Sequence, residues 1–326
     1  MSTNWRLGYG HPAFGGPIDR GFAHGGPAVR LPVDSAAAPL REAAEGGLGG
    51  GRPVAKRQLS LGASIVLYDM PLKQIDPLLS ALEAGGAAQL YVIDNTPRRP
   101  PSEETAATAA KYSNLELHYP GKNLGYGRGH NIAIELSTAK YKYHLISNPD
   151  ITLSEDTLGA LYDFMEAHPD VGLCMPKLVG SDGGTHFCCR RSPVALDYLS
   201  QLLLPGSWGR RRKDSLEMRS RDYDQTMEVP CLSGCFMFFR SEVLSQLGGF
   251  DDRFFLYFED LDLSARARKL GKNVYFPYTW VVHERQSGHR TSWQLKARFA
   301  ASACRYFAKW GWLSSRADKD TRLGQP

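Results

Sequence analysis

Long hydrophobic runs are missing from this chain of 326 residues. No apolar stretch approaches the roughly 20 residues a bilayer-spanning helix needs. The first residues hold no hydrophobic signal core either. Cysteine is scarce, with six in all, and Cys188 and Cys189 are adjacent. That argues against a secreted disulfide framework and for reduced thiols. An excess of either charge is also lacking: the formal net charge is +5, too mild and diffuse to mark a nucleic-acid binder. No internal repeat is present. These absences predict a cytoplasmic protein without a membrane span, free to touch the inner face of a membrane, and with no nucleic-acid partner.

Apolar residues make up 42% of the chain, ordinary for a protein with a real core. Residues 1–57 are rich in Gly, Pro and Ala without periodicity, as in EGGLGGGRP, and read as a disordered segment. Beyond them strand and helix patterns alternate. ASIVLY, QLYVIDN, LELHY and YKYHLIS read as strands, with helices near 74–84, 103–111, 131–137 and 155–168. Four alternations predict an α/β fold with a mostly parallel sheet. Ligands of such sheets sit outside the carboxyl ends of the strands. Those ends are polar here: Tyr68-Asp69, Asp94-Asn95 and Asn148-Pro149-Asp150. In the second half, residues 171–179 read as strand. Residues 198–224, containing GRRRKD, read as a long mobile basic loop. MEVPCLSGCFMFFR reads as strand-rich, EDLDLSARARKLG as a helix, and residues 292–309 as a last helix. GRRRKD and that last helix, with Trp293, Trp310 and Trp312 around it, suit an anionic membrane surface; packing of the helix's apolar stripe on the domain is the simpler reading.

Several constellations carry chemistry. Asp150 after an apolar strand offers oxygen to a divalent cation on a diphosphate, or simply forms a turn. GKNLGYGRGHN invites a dinucleotide-binding reading, and with it a nicotinamide-dependent oxidoreductase. Its spacing is G-x-G-x-G and it follows the third strand, which fits that reading poorly. It reads equally as a flexible connection, or as a loop passing close to a nucleotide or sugar. In FFLYFEDLDL, four aromatics run into Glu259, Asp260 and Asp262. Acids at a helix start suit the helix dipole. Acids against a water-excluding aromatic wall gain proton affinity, which suits a general base. His283 is a structural histidine unless it converges with Asp150 on a metal. Cys231 and Cys235 lack a second ligand pair and read as core residues. A non-catalytic glycan- or lipid-binding module is the third functional class left open.

The pieces SIVLY, YVIDN, NLGYGRGHN, LISNPDI, CLSGCFMFFR, GGFDDRFFLYFEDLDLSARARKLG and VVHE occur in this order. Together the chain resembles the inverting family 2 glycosyltransferases, in their rhamnosyltransferase-like branch. The resemblance implies a GT-A fold: a Rossmann-like nucleotide-binding half (58–150), an acceptor half (151–290) around one mostly parallel mixed sheet, a C-terminal helix (291–312) and a tail (313–326). It implies a nucleotide-sugar site of Tyr68, Asp94, Asn95, Asn123, Gly125, Asn131, Asn148 and Asp150, with Asp94 on the pyrimidine. It implies Mg²⁺ or Mn²⁺ on Asp150 and His283, Asp260 as general base and Glu259 as its neighbour. Asn148 stands where the family's first DxD acid would be. The implied donor is a nucleotide sugar, dTDP-rhamnose, and the acceptor a glycan or lipid-diphosphate-linked glycan. The aromatics before the acids would then wall off water and stack on sugar faces.

Overall fold

The computed structural model describes residues 57–98, 101–154, 156–203, 206–284, 293–313 and 315, all within the unit Lys56–Pro326. The expected disordered segment 1–57 lies outside the described residues apart from its last residue, as do residues 314 and 316–326 of the tail.

The chain begins with β1 (Leu59–Leu67), a 3-10 turn (Leu72–Ile75), α1 (Asp76–Ala84), β2 (Ala87–Asp94), α2 (Glu103–Ala109), β3 (Leu115–His118), α3 (Tyr126–Thr138) and β4 (Tyr143–Ser147). It continues through β5 (Ile151–Leu153), α4 (Thr157–Ala167), β6 (Val171–Val179), β7 (Thr185–His186), β8 (Cys189–Arg190), α5 (Ala195–Leu203) and α6 (Ser207–Leu216). The remainder is β9 (Met227–Glu228), β10 (Cys231–Leu232), β11 (Phe236–Arg240), α7 (Ser241–Leu247), α8 (Glu259–Ala267), β12 (Lys272–His283) and α9 (Trp293–Trp310). The α/β alternation read from the sequence is therefore present.

The main sheet runs β3-β2-β1-β4-β11-β6-β12-β5. β1 is parallel to β2 and β4, and β2 to β3. β11 enters antiparallel between β4 and β6, joining the two halves. Apolar side chains of the central strands pack on α1, α3 and α4 in one continuous core. A short ribbon, β8 with β10, lies apart from the main sheet.

Two expectations need correction. Residues 198–224 are not one irregular loop: α5 and α6 occupy much of them. Asp197, at 0% exposure, pairs with Arg191 and with Arg212 at 3.2 Å, so a buried acid ties the two helices together. The helix after β3 also starts five residues earlier than expected, at Tyr126, so Gly127 and Gly129 lie inside it. A Cβ on Gly127 would sit 2.7 Å from Phe250 Cβ, and one on Gly129 would sit 2.8 Å from Val66 Cγ2. Both glycines let α3 press against its neighbours, and neither belongs to an open cradle.

Candidate active site

The acids of FFLYFEDLDL begin α8, and the backbone before them is strained. Tyr257 and Phe258 adopt φ of 70° and 67°. Two consecutive L-residues in the left-handed region cost about 1–2 kcal/mol each. Packing holds them there. Phe258 is 0% exposed, with ring centroids 5.1 to 5.8 Å from Tyr198, Phe299, Tyr306 and Phe307. Burying one such ring contributes roughly 1.5–3 kcal/mol, so two buried rings together offset the strain. Phe254 is buried in the same cluster. These two rings are therefore an anchor between α8 and α9, and not a wall facing a ligand. Phe255 and Tyr257 are only half-buried.

That anchor fixes where the carboxylates point. Asp260 Oδ2 accepts the Gly234 N–H at 2.9 Å, and its Oδ1 accepts the Leu261 N–H at 2.9 Å. Burial raises the proton affinity of Asp260, while the charge of Arg190 and these N–H groups oppose the rise. Glu259 is pushed up to about 8, first by burial and then by the charge of Asp260. Its Oε2 is buried without a hydrogen-bond partner among the described residues. Burial and the Asp260 charge thus favour the protonated form of Glu259, whereas Arg190 and the N–H groups favour the charged form of Asp260. Asp262 has another task. At 0% exposure it receives Arg266 Nε at 2.8 Å, Trp310 Nε1 at 2.9 Å and Lys309 Nζ at 2.6 Å, clamping α9 to α8.

Residues 233–235 connect this base to the strand ends. Tyr126 Oη donates to Gly234 O at 2.6 Å while Gly234 N–H holds Asp260. One residue on, Cys235 O accepts the Asn148 N–H at 2.8 Å. The Asn148-Pro149-Asp150 turn and Asp260 are therefore pinned to neighbouring residues of one connection. Tyr126 is pushed well above its ordinary value by burial, then by Cys235, Glu259, Asp260 and Asp150, which places it among all four.

Topology brings Asp150 and His283 together. After β4 the chain crosses to β5, whose Ile151 pairs with His283 of β12. Asp150 Oδ1 lies 3.3 Å from His283 Nε2. That oxygen is buried and makes no hydrogen bond with any described residue. A carboxylate oxygen and an imidazole nitrogen converging in this way are competent ligands for a divalent cation. No group of three or more Cys, His, Asp or Glu suited to a metal occurs among the described residues.

The other expected residues divide. Asp94 is buried at the end of β2, accepts the Thr96 N–H at 2.9 Å, and lines a hollow with Leu67, Leu72, Thr105, Leu117 and Tyr119. Asn95 donates to Gly125 O at 2.8 Å and keeps a buried Oδ1 without a described partner. Asn123 Oδ1 accepts the Gly125 N–H at 2.9 Å. Gly125 has φ of 85°, and a Cβ there would fall 2.2 Å from Phe255 O; the adjacent Tyr126 N–H donates to that same oxygen. Loop 123–126 is thus fastened to the segment before the base. Tyr68 is 59% exposed. Asn131 points elsewhere: its amide exchanges hydrogen bonds with the backbone of Phe250 and reaches Asp252. Sequence reading passed over Tyr126, Gly234 and Arg190. The first stood in a motif examined for its glycines, the second in one examined for its cysteines.

A sequence model described as "Glycosyltransferase like family 2" matches residues 80–302, more than half of the chain. The N-acetylglucosaminyl-diphospho-decaprenol L-rhamnosyltransferase of Mycobacterium tuberculosis is 29% identical over 205 residues, covering 60% of this chain and 66% of that protein. The match thus spans just under two thirds of that relative. Rhamnosyltransferase WbbL of Escherichia coli is 27% identical over 218 residues, covering 63% of this chain and 78% of that protein. In fold, the chain is similar to a crystal structure of GalNAc-T7 with UDP, GalNAc and Mn²⁺. The TM-score is 0.57 at 12% identity, over 78% of this chain and 48% of that one. The fold is GT-A, as the sequence implied. The chain belongs to the glycosyltransferase-like family 2 and is similar to rhamnosyltransferases within it.

Proposed function

We propose that the protein transfers a sugar, rhamnose, from a nucleoside-diphosphate donor to a hydroxyl of a glycan or lipid-diphosphate-linked glycan, with inversion. The observation that carries this reading is the single connection 233–235. It holds an ionisable acid, Asp260, on one side and the Asp150 turn on the other. Asp260 accepts the proton of the acceptor hydroxyl, whose oxygen attacks the anomeric carbon from the face opposite the departing diphosphate. One displacement inverts the centre, so no enzyme nucleophile is needed. Glu259, protonated, keeps a second negative charge away from Asp260. Asp94, Asn95 and the 123–125 loop border the nucleotide, and Tyr68, exposed just after β1, completes the same donor site. Asp150 and His283 would hold a divalent cation, Mg²⁺ or Mn²⁺, with Asn148 beside them. Such a cation offsets charge on the leaving diphosphate. Two protein ligands suffice for a cation that keeps waters and takes diphosphate oxygens.

The oxidoreductase reading loses its basis, because Gly127 and Gly129 serve helix packing. A silent binding module gives no reason for a buried acid held by two N–H groups. A thermal-shift panel of nucleotide sugars, with and without Mg²⁺ or Mn²⁺, tests the proposal. The expected result is a cation-dependent shift with dTDP-rhamnose. Shifts with NAD(H) alone would overturn it.

A further inference from the structure

The basic charge of this chain is not spread evenly. α5, α6 and α9 carry eight Lys or Arg and two acids, whereas the whole chain carries 39 and 34. The remainder, 31 basic against 32 acidic residues, is close to neutral. Some of the eight are neutralised: Arg212 pairs with Asp197, Lys213 lies 4.0 Å from Glu217, and Lys309 reaches Asp251 and Asp262. Arg210 and Arg211 are exposed on α6 and form no ion pair with any described residue.

Large apolar side chains crowd the same region. Leu196 and Leu199, three apart on α5, are 44% and 46% exposed. Trp312 O accepts the Ala195 N–H at 2.9 Å, which seats Trp312 and Leu313 (49% and 88% exposed) at the start of α5. Trp208, 71% exposed, opens α6 one turn before Arg211 and Arg212, and Arg212 in turn is tied to α5 through Asp197. Clustered exposed apolar residues of this size mark an interaction surface. Tryptophan and leucine interleaved with unpaired arginine suit the boundary between anionic headgroups and acyl chains.

We propose that the outer sides of α5 and α6, with the Trp312-Leu313 segment beside them, form a docking face for an anionic lipid surface. Charge selects the occupant: a face with exposed arginines and no exposed acid other than Asp214 on its helices complements anionic headgroups. The placement also has a use. Tyr198, on the inner side of α5, packs on Phe258 and lies within electrostatic reach of Asp260. About one helix diameter, roughly 10 Å, therefore separates the outer face of α5 from the surroundings of the base. A membrane there would present a lipid-borne hydroxyl acceptor close to Asp260. Only this last link rests on the proposed transferase reading; the docking face does not.

Co-sedimentation of the full chain with phosphatidylcholine vesicles, with and without phosphatidylglycerol, tests it. The expected result is binding to the anionic vesicles at low salt, lost at high salt and weak on neutral vesicles. Arg210→Glu with Arg211→Glu should weaken it by roughly thirtyfold or more, from about fivefold per basic residue near the surface. Trp208→Ser with Leu199→Ser, an independent pair, should weaken binding as well. Both double variants should keep the parent melting temperature and the parent rate on a water-soluble acceptor, so a failed docking face stays distinguishable from a failed transferase. No binding to anionic vesicles at low salt, or undiminished binding by both variants, overturns the proposal. So does a dimer in solution that these variants dissociate, since the face would then belong to a second copy.

Discussion

Tyr126 and Asp260 act on the two ends of one backbone unit, the carbonyl and the N–H of Gly234. Tyr126→Phe keeps the ring contacts with His130 and Phe250, at 4.5 and 5.9 Å, and removes only the hydroxyl. Without that hydrogen bond the 233–235 connection loosens and Gly234 N–H holds Asp260 less firmly, so Asp260 binds its proton more tightly. The expected outcome is a kcat about tenfold lower, little change in donor KM, and an acidic limb of the rate profile moved to higher pH. A purely structural tyrosine would leave the limb in place. Glu259 makes a second prediction at this scale. Its folded value, about 8, lies above its unfolded one. The unfolded chain therefore loses this proton first, and the penalty on folding grows as pH rises from about 4.5 to 8. Glu259→Gln should melt higher than the parent at pH 8 and equally at pH 4. Equal melting temperatures at both pH values would contradict the buried, protonated Glu259.

Among the elements, strands and helices of the first half were legible because their apolar runs are buried on both sheet faces or recur at helical spacing. α3 was read too short because glycine lowers helix propensity by about 1 kcal/mol; the close packing of Gly127 and Gly129 outweighs that cost. α5 and α6 were missed because α6, SWGRRRKDSL, has little apolar periodicity of its own. Asp197 organises both helices from a distance that sequence spacing does not reveal. Asp262 was legible as a helix acid, but not as a clamp, since its partners lie 4, 47 and 48 residues away. Removing it leaves Arg266, Lys309 and the Trp310 indole without their shared acceptor. Asp262→Ala should destabilise by about 3 kcal/mol, read as a lower denaturant midpoint, whereas exposed ion pairs contribute about 1 kcal/mol or less. The Ser64 hydroxyl makes a comparable buried link, bonding His130 Nδ1 at 2.8 Å and His144 Nε2 at 2.9 Å between α3, β1 and β4. Burial pushes His144 down to about 3 and His130 well below its usual range. The unfolded histidines protonate first, so their stabilising contribution is present above about pH 6.5 and is lost as pH falls below it. His144→Gln should flatten the slope of melting temperature between pH 7 and pH 5.

For the whole molecule, Asp150, His283 and Asp260 come from β-strand ends and a helix start spread over more than a hundred residues. Their types and order were legible, together with the polar strand ends. Their convergence was not, because it depends on the crossing from β4 to β5 and on β11 joining the two halves. The place of Phe254 and Phe258 within the aromatic run was hidden for the same reason: only α9, packed from the far end of the chain, shows these two to be an anchor. If Asp150 and His283 hold a cation against the donor diphosphate, EDTA should abolish most of the thermal shift given by the nucleotide, and Asp150→Asn should do so without EDTA. A full shift in both cases would remove the cation from the proposal. The most direct test of the central claim is single-turnover transfer by Asp260→Asn beside the parent enzyme, with donor binding measured in parallel. The expected result is a rate about 10²- to 10⁴-fold lower, as for loss of a general base, with the donor-induced thermal shift preserved. Full turnover by Asp260→Asn would contradict the assignment of Asp260 as the base.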